Sequence, residues 1–212
     1  MASSKTVGRQ VTVVAIVGSL RRGSHTRMAL EVALQGAAEA GARTQLIDLR
    51  QYQLAFADGE AEEGQQPEGL RRLRRDVSQA DGIILGTPEY HGSFSGVLKN
   101  TLDLMGFDEL ENKMIGLVGV SGGAMGATQA LADLRHVARA LHAWVVPQQG
   151  AVPQAYQAFD ESGRPLDPAM EQRLKSVGQQ VVRYASLHVG ERLQESDHET
   201  AYVSDQPPAM QS

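Results

Sequence analysis

The feature that most restricts the fold of this chain is an alternation between short apolar segments and longer amphipathic ones. Residues 11–17 (VTVVAIV), 82–86 (GIILG) and 114–120 (MIGLVGV) are apolar at almost every position. Each is followed by a segment in which apolar residues recur at the spacing of an α-helix. Strands that are apolar on both faces are typical of a parallel sheet covered by helices on both sides.

The complete alternation predicts an α/β domain with five strands and five helices. The two remaining strands are residues 44–49 (TQLIDL) and 143–146 (AWVV). Five parallel strands match the flavodoxin-like order 2-1-3-4-5, a doubly wound three-layer α/β/α fold with a ligand crevice at the carboxyl ends of strands one and three. We expect the domain to span residues 11–188, between a disordered N-terminus (1–10) and an acidic, disordered tail (189–212).

Composition excludes several kinds of chemistry. The 212 residues include no cysteine, which rules out disulfides, thiolate metal sites and cysteine nucleophiles. The net charge of −5 argues against a nucleic-acid partner, and the six histidines lack the paired spacing of a metal-binding helix, so no metal is expected. No segment approaches the ~18 apolar residues of a membrane span, and no secretory signal is recognisable, so we expect a cytoplasmic protein.

The stretch GSLRRGSHT places two arginines and three hydroxyl groups where the first helix begins. The amino end of a helix carries partial positive charge, so cations are unfavourable there unless an anion lies among them. Hydroxyls of Ser19, Ser24 and Thr26, together with backbone amides, suit a single terminal phosphate. Arg21 or Arg22 would add charge-assisted bonds. The alternative is that a hydroxyl only caps the helix and the arginines are solvated.

The loop after the third strand, GTPEYHGSFSG, has features of a site for a planar heterocycle. Proline fixes a turn, tyrosine offers a ring, and glycine lets the backbone approach a flat ligand closely. The candidate residues are Pro88, Glu89, Tyr90, His91 and Gly92. An ordinary strand-to-helix turn with its tyrosine packed on the core would have the same composition, so this alternative stays open.

The loop after the fourth strand begins with Ser121, Gly122 and Gly123. The two glycines leave backbone amides that can face a carbonyl of the same heterocycle, although a plain tight turn predicts the same glycines. In the predicted sheet, all three loops lie at the carboxyl edge. Their joint position favours one shared site.

These segments resemble the NADPH-dependent FMN reductase family of flavodoxin-like proteins. The resemblance rests on GSLRRGSHT, TPEYHGSFSGVLKNTLD and SGGAMG, and covers residues 11–188. It implies FMN as the cofactor and NADPH or NADH as the co-substrate. The FMN-binding residues that it implies are Ser19, Arg21, Ser24 and Thr26 at the phosphate, Pro88, Glu89, Tyr90, His91 and Gly92 along the isoalloxazine, and Ser121, Gly122 and Gly123 at its pyrimidine edge.

The resemblance also implies a homodimer or homotetramer, packed partly through a helix over residues 99–103. Relatives usually carry Asn where Thr26 and His91 stand in this chain. Thr26 keeps a hydroxyl donor, whereas His91 changes what reaches the polar edge of the flavin. The segments GTPEYHG and PQQGAVPQAYQAFDESGR also resemble the arsenical-resistance flavoprotein branch, but a chain without cysteine gives no indication of arsenic chemistry.

The implied reaction is hydride transfer from NADPH to FMN and electron transfer onward to a small acceptor: a quinone, a free flavin, an azo compound or a metal oxyanion. The protein positions the rings, so no catalytic acid or base is assigned. The 51–67 loop would either cover the site or be a disordered connector. The basic stripe Arg71, Arg72, Arg74 and Arg75 is either a solvated helix face or a docking site for the NADPH 2′-phosphate or a neighbouring subunit.

Two other functions are compatible with parts of the sequence. A flavodoxin-like electron carrier or flavin sensor would bind FMN without oxidising NADPH; carriers tend to be strongly acidic, and −5 is modest. The GVSGG sequence around Ser121 matches the G-x-S-x-G turn of serine hydrolases, and Asp133, Asp160 or Asp167 with His188 would complete a triad. Against this, the His-Gly-Gly-Gly oxyanion element of such hydrolases is absent from the sequence.

Overall fold

The structure is a computed structural model that describes residues 9–58 and 66–204. Its strands are β1 (Thr12–Val17), β2 (Arg43–Asp48), β3 (Gly82–Tyr90), β4 (Ser93–Phe94), β5 (Met114–Val120) and β6 (Trp144–Val152). Its α-helices are α1 (His25–Glu39), α2 (Glu68–Ser78), α3 (Gly96–Asp103), α4 (Phe107–Leu110), α5 (Thr128–Ala140) and α6 (Pro168–Ser204). Single 3-10 turns cover Leu49–Gln51 and Ala155–Gln157.

The parallel strands follow the order β2-β1-β3-β5-β6. Counted without β4, this is the predicted order 2-1-3-4-5, so the flavodoxin-like α/β prediction is confirmed. The additional strand, β4, forms an antiparallel hairpin with the end of β3, in which Glu89 lies opposite Phe94 and Tyr90 opposite Ser93. A two-residue strand has no recognisable period, so sequence patterns do not reveal it. The ends of β1, β3 and β5 lie side by side.

The interior strand β1, which lies between β2 and β3, shows why these segments are apolar throughout. Successive side chains of a strand point to opposite faces of the sheet. Val13 and Ala15 are fully buried in the core formed with α1 and α6. Val14 and Ile16 are buried in the second core, with residues from α2, α3 and α5. Helices on both faces therefore exclude water from every position of the strand.

The contact between α1 and α6 depends on two glycines. A Cβ atom at Gly178 would lie 2.0 Å from the carbonyl oxygen of Ala33, and one at Gly36 would lie 2.2 Å from that of Lys175. Backbone atoms cannot move aside as a flexible side chain can, so the helices reach this distance only with glycine at both positions. Apolar periodicity does not indicate this close approach.

β3 and β6 run past their predicted ends at residues 86 and 146, and α4 has no predicted counterpart. β6 continues to Val152, beyond the predicted 143–146, through the polar sequence PQQG. It lies at the edge of the sheet, where a strand need not be apolar on both faces. The single-turn helix α4 was not predicted, because one turn is too short to show a helical repeat.

The last helix continues to Ser204, past residue 188, where the sequence places the start of a disordered tail. The sequence has no glycine or proline between Gly190 and Pro207 to interrupt a helix. The predicted boundary is therefore not a helix end, and the division into domain and tail stays a prediction. Residues 1–8 and 205–212, which carry the rest of the predicted termini, lie outside the described residues. None of the described helices has a stretch long and apolar enough to cross a membrane.

Candidate functional site

A cavity of about 200 Å³, here called the crevice, opens at the carboxyl edge of the sheet where β1, β3 and β5 end. All three predicted loops contribute to it, and so does the chain after β6. Its lining residues are Ser19, Arg21, Ser24, His25, Thr26, Pro88, Glu89, Tyr90, Val120, Ser121, Gly122, Ala155 and Tyr156. The fold thus brings nine of the twelve predicted site residues together; His91, Gly92 and Gly123 are not in the lining.

The first wall is the loop between β1 and α1. Ser24 is the N-cap of α1, and its hydroxyl oxygen accepts a hydrogen bond from the Arg27 amide at 3.4 Å. The capping role considered as an alternative is therefore real for Ser24. Ser19 and Thr26 are buried beside it, and the Ser19 hydroxyl accepts from the Arg21 amide at 3.4 Å. The loop sets three hydroxyl-bearing residues around the amino end of a 15-residue helix.

The charges around this helix start favour an anion. The first turn of α1 contains no acidic residue, so the positive end of the helix dipole is not compensated there. Arg21 is exposed and lines the crevice, and its guanidinium has no ion-pair partner within residues 9–58 and 66–204. Arg22 is exposed outside the crevice. Hydroxyls, helix amides and one cation together form a donor set that suits a phosphate.

The second wall is the carboxyl end of β3. Tyr90 is 49% exposed, so its ring is not packed in the core as the alternative interpretation required. Glu89 lines the crevice, and its Oε2 accepts a hydrogen bond at 3.0 Å from the amide of Ala130 in the first turn of α5. Ser93 donates its hydroxyl to Asp133 on the same helix at 2.6 Å. The hairpin is thus joined to α5 at two points.

His91 and Gly92 form the two-residue turn between β3 and β4. Their φ values are 52° and 80°, and positive φ at both central residues is the mark of a type I′ turn. Asn-Gly is the preferred pair for this turn, and histidine is one of the few other residues enriched at positive φ. The positive φ of His91 is therefore compatible with a histidine in this turn. A flavin contact from either residue stays a prediction.

The third wall is the start of the loop between β5 and α5. The Ser121 amide donates to the Val152 carbonyl at 2.9 Å, and the Ser121 hydroxyl accepts from the Gly123 amide at 3.1 Å. A Cβ atom at Gly122 would meet nothing within 4 Å, so the space over this residue is open to a flat ring. Gly123 accepts from the Gln154 amide at 3.1 Å outside the crevice lining, and its predicted flavin contact is untested.

Sequence reasoning missed the residues that complete the crevice. They are His25, Val120, Ala155 and Tyr156. The Ala155 amide donates to the Ser121 carbonyl at 3.0 Å, which brings the 3-10 turn after β6 to the crevice, with Tyr156 63% exposed. The His25 ring stacks on Phe159, with ring centroids 5.9 Å apart. The sequence AYQ of this turn has no pattern that would indicate a site. His25, in contrast, lies within the loop GSLRRGSHT, so its position beside the predicted phosphate site was a signal for it.

An ion cluster lies at the carboxyl end of β2, close to the first wall. Asp48 is buried and accepts from Arg27 Nη1 at 2.7 Å and from Arg50 Nε at 2.9 and 3.1 Å. The hydrogen bond from Arg50 holds the pKa of Asp48 below its usual value, against the opposing effect of burial, and the charge of Arg27 acts in the same direction. The cluster joins α1 to the segment that follows β2.

The structure does not assemble the triad of the serine-hydrolase alternative. Ser121 follows the end of β5, whereas His188 lines a different cavity with Met114, the first residue of β5. The whole strand therefore separates the serine from the histidine. Asp133 accepts the hydroxyl of Ser93. Within the part of the chain that the structure describes, no hydrogen bond joins the serine to a histidine.

The lining of the crevice has features that suit the two ends of FMN. The amino end of α1, the loop hydroxyls and Arg21 suit the phosphate, and the open space over Gly122 beside the exposed Tyr90 suits the flat ring. A ligand site at the carboxyl ends of the strands is also where doubly wound sheets bind their ligands. Sheet order and crevice together define a flavodoxin-like flavoprotein.

Comparison with known proteins narrows this class. The family model described as NADPH-dependent FMN reductase matches residues 11–157. The chain belongs to this family, whose cofactor and reductant are FMN and NADPH. It is 33% identical over 151 residues to the FMN-dependent NADPH-azoreductase of Staphylococcus aureus, a match that covers 70% of this chain and 80% of the relative.

Solved structures of flavoenzymes share the fold. FerB, a flavoenzyme NAD(P)H:(acceptor) oxidoreductase from Paracoccus denitrificans, has a TM-score of 0.69 at 24% identity and covers 84% of this chain and 98% of its own. The apo form of the NADH:FMN oxidoreductase EMOB has a TM-score of 0.65 at 23% identity, with 84% and 89% covered. At these identities the likeness concerns the fold, and family membership rests on the sequence matches.

Proposed function

We propose that this protein transfers electrons from NADPH, through FMN bound in the crevice, to a small acceptor: a quinone, a free flavin, an azo compound or a metal oxyanion. The observation that carries the proposal is the donor set of the first wall, where hydroxyls, helix amides and Arg21 surround one opening. The azoreductase activity named for the Staphylococcus aureus relative supports an azo compound among these acceptors.

FMN, when bound, would supply the two-electron redox chemistry between NADPH and an acceptor. The task of the protein is to bind and orient. Ser19, Thr26 and Arg21 would hold the phosphate, and the α1 amides would add donors. The bare backbone at Gly122 would admit the ring. Glu89 contributes indirectly, because it holds α5 and the loop that precedes it against the end of β3.

The test is an absorbance spectrum of the full chain after incubation with FMN and removal of unbound flavin, followed by anaerobic addition of NADPH. We expect the visible flavin bands to remain with the protein and to bleach on addition of NADPH. The same titration with NADH provides the comparison for the choice of nicotinamide.

Each other outcome would point to a different function. Flavin that binds without bleaching would contradict the reductase and favour an electron carrier or a flavin sensor. If no flavin is retained, the reading of the crevice is wrong. Labelling of Ser121 by a fluorophosphonate would then favour a serine hydrolase, although the structure does not bring its triad together.

The proposal includes a homodimer or homotetramer that packs partly through α3, together with a cytoplasmic location, where NADPH is available. An exposed aromatic side chain just after this helix supports a subunit contact: Phe107, the first residue of α4, is 53% exposed. Sedimentation of the FMN-loaded protein tests the assembly, and a monomer at micromolar concentration would contradict it.

A further inference from the structure

A second, larger cavity adjoins the crevice. It has a volume of about 790 Å³ and lies between α3, the segment that follows β2 and the loop after β1. Tyr90 lines both cavities and forms the wall that they share. Cavities of this size enclose most of the surface of a small organic ligand. We call this cavity the vestibule.

Hydrogen bonds from α3 and from its N-cap residue, Ser95, hold two walls of the vestibule in place. Asn100 donates from Nδ2 to the Ala55 carbonyl at 2.9 Å, and its Oδ1 accepts from the Ala57 amide at 2.9 Å. The side-chain amide of Asn100 thus both donates to and accepts from the backbone of this segment, as the backbone of a neighbouring strand would. Ser95 donates its hydroxyl to the Gly18 carbonyl at 2.6 Å and joins the helix to the loop after β1. The walls are anchored at both sides of the cavity.

Most of the vestibule surface comes from apolar side chains. Leu20, Leu54, Phe56 and Val97 line it together with Tyr90. Leu20 is 52% exposed and Phe56 is 85% exposed, although both are large apolar side chains. Contiguous exposed apolar surface of this kind marks a place where another molecule binds.

The vestibule offers its ligand little charge. Arg50 is the one charged side chain among the lining residues. Its guanidinium is directed to the buried Asp48 carboxylate, with Nε at 2.9 and 3.1 Å from the two oxygens. The Thr101 hydroxyl is also occupied, since it donates to the Val97 carbonyl at 2.8 Å. An anionic ligand would lose its hydration without gaining an unpaired cation, so the lining favours an uncharged one.

We propose that the vestibule binds the electron acceptor and selects uncharged, apolar aromatic compounds with fused rings over small hydrophilic ones. This inference rests on the proposed function, which puts FMN in the crevice that shares Tyr90 with the vestibule. When the acceptor is a naphthoquinone, the net reaction converts NADPH, one proton and the quinone into NADP⁺ and the hydroquinone.

The test uses a glycine whose side-chain position is open. Gly96 is the first residue of α3 and lines the vestibule, and a Cβ atom there would meet nothing within 4 Å. Gly96→Leu therefore adds bulk to the cavity without a clash. Gly106→Leu is the matched control, because Gly106 has the same open surroundings but lines neither cavity.

Two measurements on the FMN-loaded proteins give the result. The first is the dissociation constant of 2-methyl-1,4-naphthoquinone by equilibrium dialysis, and the second is KM for this quinone and for 1,4-benzoquinone. For Gly96→Leu we expect the naphthoquinone constants to rise about tenfold, the effect of about 1.4 kcal/mol. The benzoquinone KM, FMN affinity and bleaching by NADPH should stay within about twofold of wild type, a difference of about 0.4 kcal/mol.

Three results would overturn the inference. One is unchanged naphthoquinone binding in Gly96→Leu, and another is an equal loss in Gly106→Leu. The third is a change of sedimentation coefficient in Gly96→Leu alone, which would assign the vestibule to a contact between two copies of the chain. If wild type retains FMN but NADPH does not bleach it, the proposed function fails by itself, and the dialysis measurement still tests whether the vestibule binds the quinone.

Discussion

Replacement of Arg21 by alanine tests whether the loop after β1 holds a phosphate. The Arg21 guanidinium lines the crevice and has no ion-pair partner among the described residues. A hydrogen bond to a charged group contributes about 1.5–3 kcal/mol. Its loss should therefore raise the FMN dissociation constant roughly 10- to 150-fold. Riboflavin has the same ring without the phosphate, so its affinity should not change.

Ser24→Ala should behave differently, because the Ser24 hydroxyl caps α1. Loss of an N-cap costs about 1 kcal/mol of stability, within a range of about 0.5–2. The urea midpoint of the flavin-free protein should fall in Ser24→Ala with an unchanged m value, and it should stay constant in Arg21→Ala. Arg22→Ala is the matched control, since this exposed neighbour lies outside the crevice lining.

Flavin fluorescence titrations give the affinities, and circular dichroism in urea gives the stabilities. The reasoning is refuted if Arg21→Ala weakens FMN and riboflavin equally, because the side chain would then act on the ring. It is also refuted if Arg22→Ala lowers the affinity for FMN as strongly as Arg21→Ala does, because the overall positive charge of the loop would then explain the effect.

Gly122→Leu should weaken the binding of FMN and of riboflavin alike, by about tenfold or more in the same titrations. A clash of about 1.4 kcal/mol in the space for the ring would have this effect. Unchanged affinity would show that Gly122 is not part of the site. Glu89→Ala removes the acceptor for the Ala130 amide and should lower the free energy of unfolding in urea by about 1–3 kcal/mol. Glu89→Gln keeps an acceptor, so its free energy of unfolding should fall less. Equal losses in the two variants would contradict the capping role. Burial raises the pKa of Tyr52 to about 12, and its hydrogen bond to Asp76 acts in the same direction. An unfolded tyrosine has a pKa of ~10, so this stabilisation is complete below about pH 10 and is lost as the pH rises towards 12. The free energy of unfolding should fall by about 1–2 kcal/mol more in wild type than in Tyr52→Phe over this range, and equal pH dependence of the two would contradict the assignment.

The sequence by itself determined the layers of the fold and the general place of the site. Strands that are buried on both faces must be apolar at every position, so β1, β3 and β5 are recognisable without a structure. Chain order and strand type then place the loops after these strands at one edge. For this reason Ser19, Arg21, Thr26 and Ser121 could be assigned to one crevice before any distance was known. β4, α4 and the polar part of β6 lack such a signal, because short or edge elements are not constrained on both faces.

Only the tertiary structure decided which groups complete and support the crevice. Glu89 meets the Ala130 amide across 41 positions of the chain, and Asn100 pairs with the backbone at Ala55 and Ala57. Tyr156 reaches the crevice through a turn without a sequence pattern. Local periodicity reports whether a residue is buried, and it carries no information about which helix start lies beside which strand end. That information arises only when the two cores pack, and in this protein it joined Glu89 to the start of α5 and placed the vestibule beside the crevice.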